Sequence, residues 1–224
     1  MNKQIRERAK SIFWADYKNL LIAGLIYSLM SIILSLVKTN NIIATSAMSL
    51  LSTFVSASSA YFYFNTYIKE KSDFQDMYII FTDGKNFSKL MSIVITLWLI
   101  YSLILIIVAI IAFIPFMAIF SIIFMLVISF LLVYVWYLYA ANPSYPTSWY
   151  FKASAKYIGF NYIGFTFSLV IFPAIIQALL TLILPNILVQ IIMFPVNVYI
   201  SIAIAGFVAT TIPDDWYNGT ANFN

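Results

Sequence analysis

The chain has 224 residues, of which 63% are hydrophobic and 9% are charged, and its formal net charge is +4. A soluble domain carries roughly 25% charged residues, so this composition excludes a soluble globular protein and predicts that lipid surrounds most of the surface. The sequence has no cysteine and no histidine, which excludes disulfides, thiolate chemistry and the commonest transition-metal ligands.

The N-terminal segment is basic and precedes the first apolar run. Its predicted helix has one apolar face, made by Ile5, Ala9, Ile12 and Phe13. We expect this helix to lie at the inner interface against anionic lipid headgroups. The apolar run at 20–37 is long enough to cross a bilayer, so we interpret it as a retained span and not as a signal peptide.

Apolar runs between charge clusters predict six transmembrane helices. They lie at about 20–37, 42–68, 90–114, 116–139, 162–184 and 187–212. The expected fold is an all-α polytopic membrane helix bundle, a single domain over residues 1–224. Short amphipathic helices are expected at the inner interface, one of them at 147–158 with Trp149 as an anchor. The aromatic runs "YFYFNTY" and "VYVWYLYA" are typical of belts at a headgroup boundary.

Small and hydroxyl residues follow one line along the second predicted span. They recur at i, i+4 spacing as Thr45, Ser49, Thr53 and Ala57. Small residues at this period let helix backbones approach closely. The line is therefore predicted to be a helix-packing face, and a polar pore lining is the alternative.

Residues 90–139 form a charge-free run that is too long for one span. Fifty helical residues would extend about 75 Å, whereas the hydrocarbon core is about 30 Å thick. Pro115 is the best breaker in the run. The sequence therefore predicts an outer turn at Pro115, placed at the interface or covered by neighbouring helices.

The basic residues predict that both termini lie in the cytoplasm. All of them except Lys38 fall on one side if the six helices exist, and cytoplasmic loops carry the excess of Lys and Arg. The inner segments around Lys18, Lys85 and Lys156 resemble one another, which predicts three repeats of an interface helix followed by a hairpin. The alternative is that every inner loop simply needs basic residues.

The last predicted hairpin holds the best candidate for a polar site. Prolines within both of its spans would free backbone carbonyl groups, and amide side chains lie close to them. The candidate residues are Pro173, Gln177, Gln190, Pro195 and Asn197. Broken helices with amide side chains can bind an ion or polar ligand near the midplane. Alternatively, the amides form hydrogen bonds between helices.

No catalytic or cofactor-binding motif is present. The sequence lacks GxSxG, HExxH, GxxxxGK[ST] and GxGxxG, and the six predicted spans contain no ionisable residue. Ionisable residues within a span would be the default indicator of function in a membrane protein. We therefore expect no enzymatic activity, no metal and no cofactor. The inner-side location of the positive charge predicts contact with anionic headgroups and not with nucleic acid.

The region around the fourth inner segment resembles a known family. An Ile-Pro pair lies at the start of the fourth predicted span, and the aromatic-rich end of that span runs into an Asn-Pro pair. A Ser then leads an amphipathic helix that reaches a Gly, and a Phe follows about six residues later. These residues are Ile114, Pro115, Asn142, Pro143, Ser154, Gly159 and Phe165. The pattern resembles bacterial, mostly Firmicute, six-span membrane proteins of unknown function (domain of unknown function nine-seven-five). The resemblance implies an integral protein of the bacterial inner membrane and no particular activity.

Two functional hypotheses follow. In the first, the chain is a non-enzymatic multi-pass protein of the bacterial cell membrane, either an accessory component of transport or export or an immunity-type protein that protects the membrane. In the second, it is a channel or carrier for a small solute that uses the proline-broken last hairpin. A lipid-handling enzyme is disfavoured because catalytic residues are missing. A second copy or another membrane partner is compatible with both hypotheses.

Overall fold

A computed structural model describes residues 2–36, 42–82, 84–112, 127–128, 131–155 and 163–212. These residues are helical or lie in turns, and none of them forms a strand. Three helices are long and apolar enough to cross a membrane, with apolar windows at Tyr17–Leu34, Phe87–Val108 and Leu188–Thr211. The all-helical class is confirmed, and these helices are consistent with a membrane location. Six spans and cytoplasmic termini stay predictions.

The described chain contains ten α-helices. They are α1 (Asn2–Ala15), α2 (Tyr17–Leu36), α3 (Ile42–Lys69), α4 (Ile79–Thr82), α5 (Gly84–Ala112), α6 (Val135–Ala141), α7 (Thr147–Lys152), α8 (Ile163–Thr166), α9 (Phe172–Thr181) and α10 (Asn186–Thr211). A 3-10 turn at Phe74–Met77 precedes α4, and a π turn at Phe167–Ile171 joins α8 to α9.

Helix ends agree with the predicted spans where polar residues flank the apolar run closely. The ends of α2, α3 and α10 lie within about three residues of those predicted for 20–37, 42–68 and 187–212. By contrast, α5 begins at Gly84, several residues before the apolar run, because polar residues can continue a helix beyond the bilayer core. Pro115 and residues 116–126 of the fourth predicted span lie outside the described residues.

The fifth predicted span, 162–184, is not one regular helix. It consists of α8, the π turn Phe167–Ile171 and α9, which has Pro173 as its second residue. Proline has no backbone N–H, and its ring clashes with the carbonyl four residues earlier. A π turn locally changes the hydrogen-bond register and accommodates this conflict. The break expected at Pro173 therefore takes the form of a π turn.

The helices α3 and α10 lie at the centre of the bundle, where α10 contacts α1, α2, α3 and α6. Two glycines allow close approach. Gly206 of α10 lies against the ring of Tyr67 in α3, and Gly24 of α2 lies against the Val198 side chain in α10. A Cβ atom at either glycine would overlap its neighbour. These two contacts therefore set the distances between the helices.

Both aromatic runs that were predicted to form headgroup belts lie mostly in the protein core, and their depth at a headgroup boundary stays a prediction. The buried aromatic residues of the two runs are Phe62, Tyr63, Phe64, Tyr67, Tyr134, Trp136, Tyr137 and Tyr139. The ring of Tyr134 packs on Phe207 with centroids 5.6 Å apart, and Phe165 stacks on the same Phe207 at 4.4 Å. The rings therefore face other helices, and their burial contributes to packing between them.

The apolar face of α1 is covered by protein. Ile5, Ala9 and Ile12 are buried, Phe13 is partly buried, and α1 packs along α10. The apolar face therefore packs on protein, whereas contact of α1 with anionic headgroups stays a prediction. The charged residues on the other side of α1 remain exposed.

Residues 70–82, called here the inner connection after the side predicted for them, fold back beside α3. Glu70 ends α3 in the left-handed region with φ of 55°. The ring of Phe74 then stacks on Phe62 at 6.4 Å, and the ring of Phe81 lies 6.0 Å from that of Phe54. Because Phe62 and Phe54 are two turns apart along α3, the connection follows the helix back toward its middle.

Ion pairs and hydrogen bonds tie the inner connection to the helix ends. Both carboxylate oxygens of the buried Asp76 accept from Lys69 Nζ, at 2.7 and 3.0 Å. The Asp16 carboxylate accepts from the backbone N–H of Ser72 at 2.8 Å and from the Ser72 hydroxyl. These bonds satisfy buried polar groups that would otherwise be costly to bury.

The segment that was predicted to form a second interface helix is part of a hairpin between α6 and α7. At its turn, the Asn142 side chain accepts from the Ser144 backbone N–H at 2.9 Å. Burial raises the pKa of the Tyr150 phenol, which therefore stays protonated and donates to the Asn142 carbonyl at 2.8 Å. Trp149 is buried and stacks on Tyr145 at 4.2 Å. It is thus a packing residue, and the interface location of 147–158 stays a prediction.

Candidate functional site

The three amide residues of the predicted site line one polar cavity together with residues of two other helices. Gln177 comes from α9, while Gln190 and Asn197 come from α10. The cavity has a volume of about 280 Å³. Its lining residues are Tyr27, Ser28, Ser31, Val55, Ser56, Ser59, Gln177, Gln190 and Asn197.

The cavity lies near the middle of the long helices. Ser28 is near the midpoint of α2, Ser56 is near that of α3, and Asn197 is near that of α10. Two of these helices, α2 and α10, are apolar enough to cross a membrane. A cluster of polar side chains at this position is therefore surrounded by strongly apolar helix surfaces, where unsatisfied polar groups are costly.

None of the cavity-lining residues is charged, and all except Val55 carry a polar group. Each amide has both donor and acceptor groups, and a serine hydroxyl can donate once and accept twice. The Ser56 hydroxyl donates to the Ser52 carbonyl at 3.0 Å, which leaves its oxygen lone pairs to accept. Such a lining matches an uncharged ligand with hydroxyl or amide groups, because no side chain compensates a full charge.

The two prolines of the predicted site shape the helices but do not line the cavity. Pro173 follows the π turn, and Pro195 lies inside α10, two residues before Asn197. Because proline lacks a backbone N–H, Pro195 removes the donor that the Ile191 carbonyl would use in a regular helix. Both prolines are half-buried.

The predicted helix-packing face of α3 divides into two parts. Ala57 is 1% exposed and Thr53 is half-buried, whereas Thr45 and Ser49 are exposed. The Thr53 hydroxyl donates to the Ser49 carbonyl at 2.9 Å, within the same helix. Within the described residues, then, only the inner end of this line is fully covered by protein.

Tyr27 and Val55 line both the polar cavity and an apolar one. A second cavity of about 520 Å³ lies between α2, α3 and the inner connection, and Tyr27, Met30, Phe54, Met77 and Phe81 are among its lining residues. The Tyr27 and Ser58 hydroxyl oxygens are 3.0 Å apart, and the Ser58 hydroxyl donates to the Met77 carbonyl. Since that bond uses the Ser58 proton, Tyr27 must be the donor to Ser58.

Sequence reasoning placed Ser56 in a second line of small residues on the second span, but it did not connect any serine with the amide site. Ser28 and Ser31 come from α2, and Ser56 and Ser59 come from α3. A signal was present, because both pairs have i, i+3 spacing within mostly apolar runs. Two such serine pairs, one on each of two consecutive spans, predict that the polar faces of the two helices lie side by side.

Of the residues that carry the family resemblance, Asn142, Pro143, Ser154 and Phe165 lie in the described chain, whereas Ile114, Pro115 and Gly159 lie outside it. The Ser154 hydroxyl donates to the Leu131 carbonyl and so helps to close the hairpin of α6 and α7. The family resemblance stays a prediction. No protein-family model, curated protein or solved structure matches the chain.

Proposed function

We propose that this chain is a non-enzymatic multi-pass protein of a bacterial cell membrane that binds a small uncharged polar solute in the cavity and lets it cross as a channel or carrier. The convergence of Gln177, Gln190 and Asn197 with hydroxyl groups of α2 and α3 is the observation that supports this function. In the proposed orientation, both termini are cytoplasmic and the cavity lies within the bilayer.

The size and chemistry of the cavity limit the class of solute. A water molecule occupies about 30 Å³ in the liquid, so a 280 Å³ cavity holds several waters or one small organic molecule. Amide and hydroxyl groups can replace the hydration shell of a polyol or an amide. They do not compensate the desolvation of a full charge. Glycerol and urea are therefore suitable probes.

A second candidate is an accessory role in a transport, export or immunity complex. It is favoured by hydroxyl residues on α3 that are exposed in the described chain, namely Thr45, Ser49 and Ser52. Small hydroxyl residues on a membrane helix favour close packing with another helix. In this case a helix of a partner protein, or of a second copy, covers this part of α3.

Solute flux into proteoliposomes tests the first candidate. Vesicles with and without the protein are mixed with hyperosmotic glycerol or urea, and their re-swelling is followed by stopped-flow light scattering. We expect faster re-swelling with the protein, and loss of that gain in Gln177→Leu and Asn197→Leu, because each variant replaces an amide of the cavity with an apolar group. Gln75→Leu is the matched control, since Gln75 is exposed on the inner connection.

Two results would contradict the proposed solute pathway. The first is wild-type protein that gives no flux above that of protein-free vesicles for either probe. The second is flux that both cavity variants retain in full. In either case the accessory role is tested by crosslinking in native membranes, where Ser49→Leu should abolish a wild-type adduct that the matched change Ser88→Leu leaves intact.

A further inference from the structure

The N-terminal helix has a basic face that its packing on α10 leaves exposed. Lys3, Arg6, Glu7 and Lys10 recur at i, i+3, i+4 and i+7 spacing and therefore share one side of α1. All four are exposed. Three positive charges and one negative charge give this face a net charge of +2.

This basic face borders a cavity beside the last helix. The cavity has a volume of about 420 Å³ and is lined by Lys3, Arg6, Glu7, Lys10 and Tyr199. Tyr199 marks one end of the cavity near the middle of α10, whereas Arg6 lies over Phe165, which stacks on Phe207 closer to the end of that helix. Side chains from α1 thus bring positive charge next to a predicted span that has no ionisable residue of its own.

Arg6 is held in place at one wall of the cavity. Its Nη2 atom donates to the Ser168 hydroxyl at 2.5 Å, and its guanidinium carbon lies 5.8 Å from the Phe165 ring centroid. Contacts with a hydroxyl and an aromatic ring orient the planar guanidinium group and leave further donors free to bind an anion. Glu7 pairs only loosely with Lys3, with an N–O distance of 3.9 Å.

Apolar surface continues from the cavity along α10. Ile192, Val196 and Tyr199 have i, i+4 and i+7 spacing and so share one face of the helix. Ile192 is 51% exposed and Val196 is 42% exposed. A ligand that combines an anionic group with an apolar chain would match both the basic cavity and this face.

We propose that the cavity binds the phosphate of an anionic membrane lipid. Lys3, Arg6 and Lys10 donate to the phosphate oxygens, and an acyl chain lies along Ile192 and Val196. Hydrogen bonds from cationic donors to a phosphate are stronger than hydrogen bonds between neutral groups. The Glu7 carboxylate at the same cavity disfavours a dianionic ligand and so favours a phosphodiester with one negative charge.

Native mass spectrometry of the full chain in detergent tests this site. The protein is titrated with phosphatidylglycerol and, separately, with zwitterionic phosphatidylcholine. We expect phosphatidylglycerol to bind more tightly and the double variant Lys3→Gln, Lys10→Gln to weaken its binding about tenfold or more. The matched control is Lys18→Gln, Lys71→Gln, which removes the same charge from exposed positions outside the cavity and should leave the affinity unchanged.

Three results would overturn the proposal. Equal weakening in both double variants would show a general charge effect, and equal affinity for the two lipids would show that the phosphate charge is not recognised. In the third test, excess inorganic phosphate competes with the lipid for the protein. If it displaces the lipid completely and binds to the protein alone, the cavity is a site for free phosphate. Arg6→Lys provides a further readout, because it keeps the charge but loses the planar donor and should weaken binding of phosphatidylglycerol.

Discussion

Gly206→Ala should destabilise the inner half of the bundle, because the added methyl group would overlap the Tyr67 ring. That ring is buried, and the Arg8 guanidinium lies over it at 4.5 Å from the centroid, so the ring has little room to move. Overpacking of a core costs about 1–3 kcal/mol. Alanine gains up to about 1 kcal/mol over glycine within a helix. The net loss expected is therefore up to about 2 kcal/mol.

Gly164→Ala is the matched control, because nothing lies within 4 Å of a Cβ atom at Gly164. It retains only the helix gain, so the difference between the two variants isolates the overpacking cost. For a chain of this length, 1 kcal/mol shifts the Tm by about 2–4 °C. The Tm of Gly206→Ala in detergent, followed by tryptophan fluorescence, should therefore lie about 2–12 °C below that of Gly164→Ala. Equal Tm values would refute the close contact with Tyr67.

Two polar contacts give further predictions, both measured as a Tm in detergent. Asp76→Asn weakens the pair with Lys69, whose side chain is about half exposed, so the expected loss is only about 1 kcal/mol. Tyr27→Phe removes the donor to Ser58 and should also cost about 1 kcal/mol. The exposed Tyr78 gives the control, because Tyr78→Phe should leave the Tm unchanged. An unchanged Tm for Tyr27→Phe would contradict the assigned hydrogen bond.

The long helices could be predicted because a long apolar run between polar segments favours a helix. A helix pairs its backbone groups within the segment, which a bilayer would require. This explains the agreement at α2, α3 and α10. It does not fix where a helix ends outside the lipid, where hydrogen bonding continues through polar residues, and α5 consequently begins at Gly84.

The cavity could be predicted in part. Proline and amide residues in apolar spans are rare enough to stand out, which is why Gln177, Gln190 and Asn197 were identified together. Serine is small and satisfies its own hydroxyl within a helix, as Ser56 does, so it carries a weaker signal. Which helix faces the amides is a property of tertiary packing and is not contained in the periodicity of one segment.

The inner half of the bundle could not be predicted from hydropathy. Aromatic residues at the end of an apolar run fit a headgroup boundary as well as a protein core. The choice between them depends on a neighbour such as Phe207 of α10, which contacts both Tyr134 and Phe165 from distant parts of the chain. The placement of α1 on α10 depends in the same way on contacts between the two ends of the sequence.

The hydrogen bonds from Tyr27 to Ser58 and from Ser58 to the Met77 carbonyl join the inner connection to a wall of the polar cavity. Movement of residues 74–82 away from α3 takes the acceptor from Ser58 and frees the Tyr27 phenol to rotate. Tyr27 and Val55 line both the 280 Å³ polar cavity and the 520 Å³ apolar cavity, so that rotation would remove one of the two side chains that the cavities share. The contact that holds Tyr27 at the polar cavity therefore depends on a segment that does not itself line that cavity.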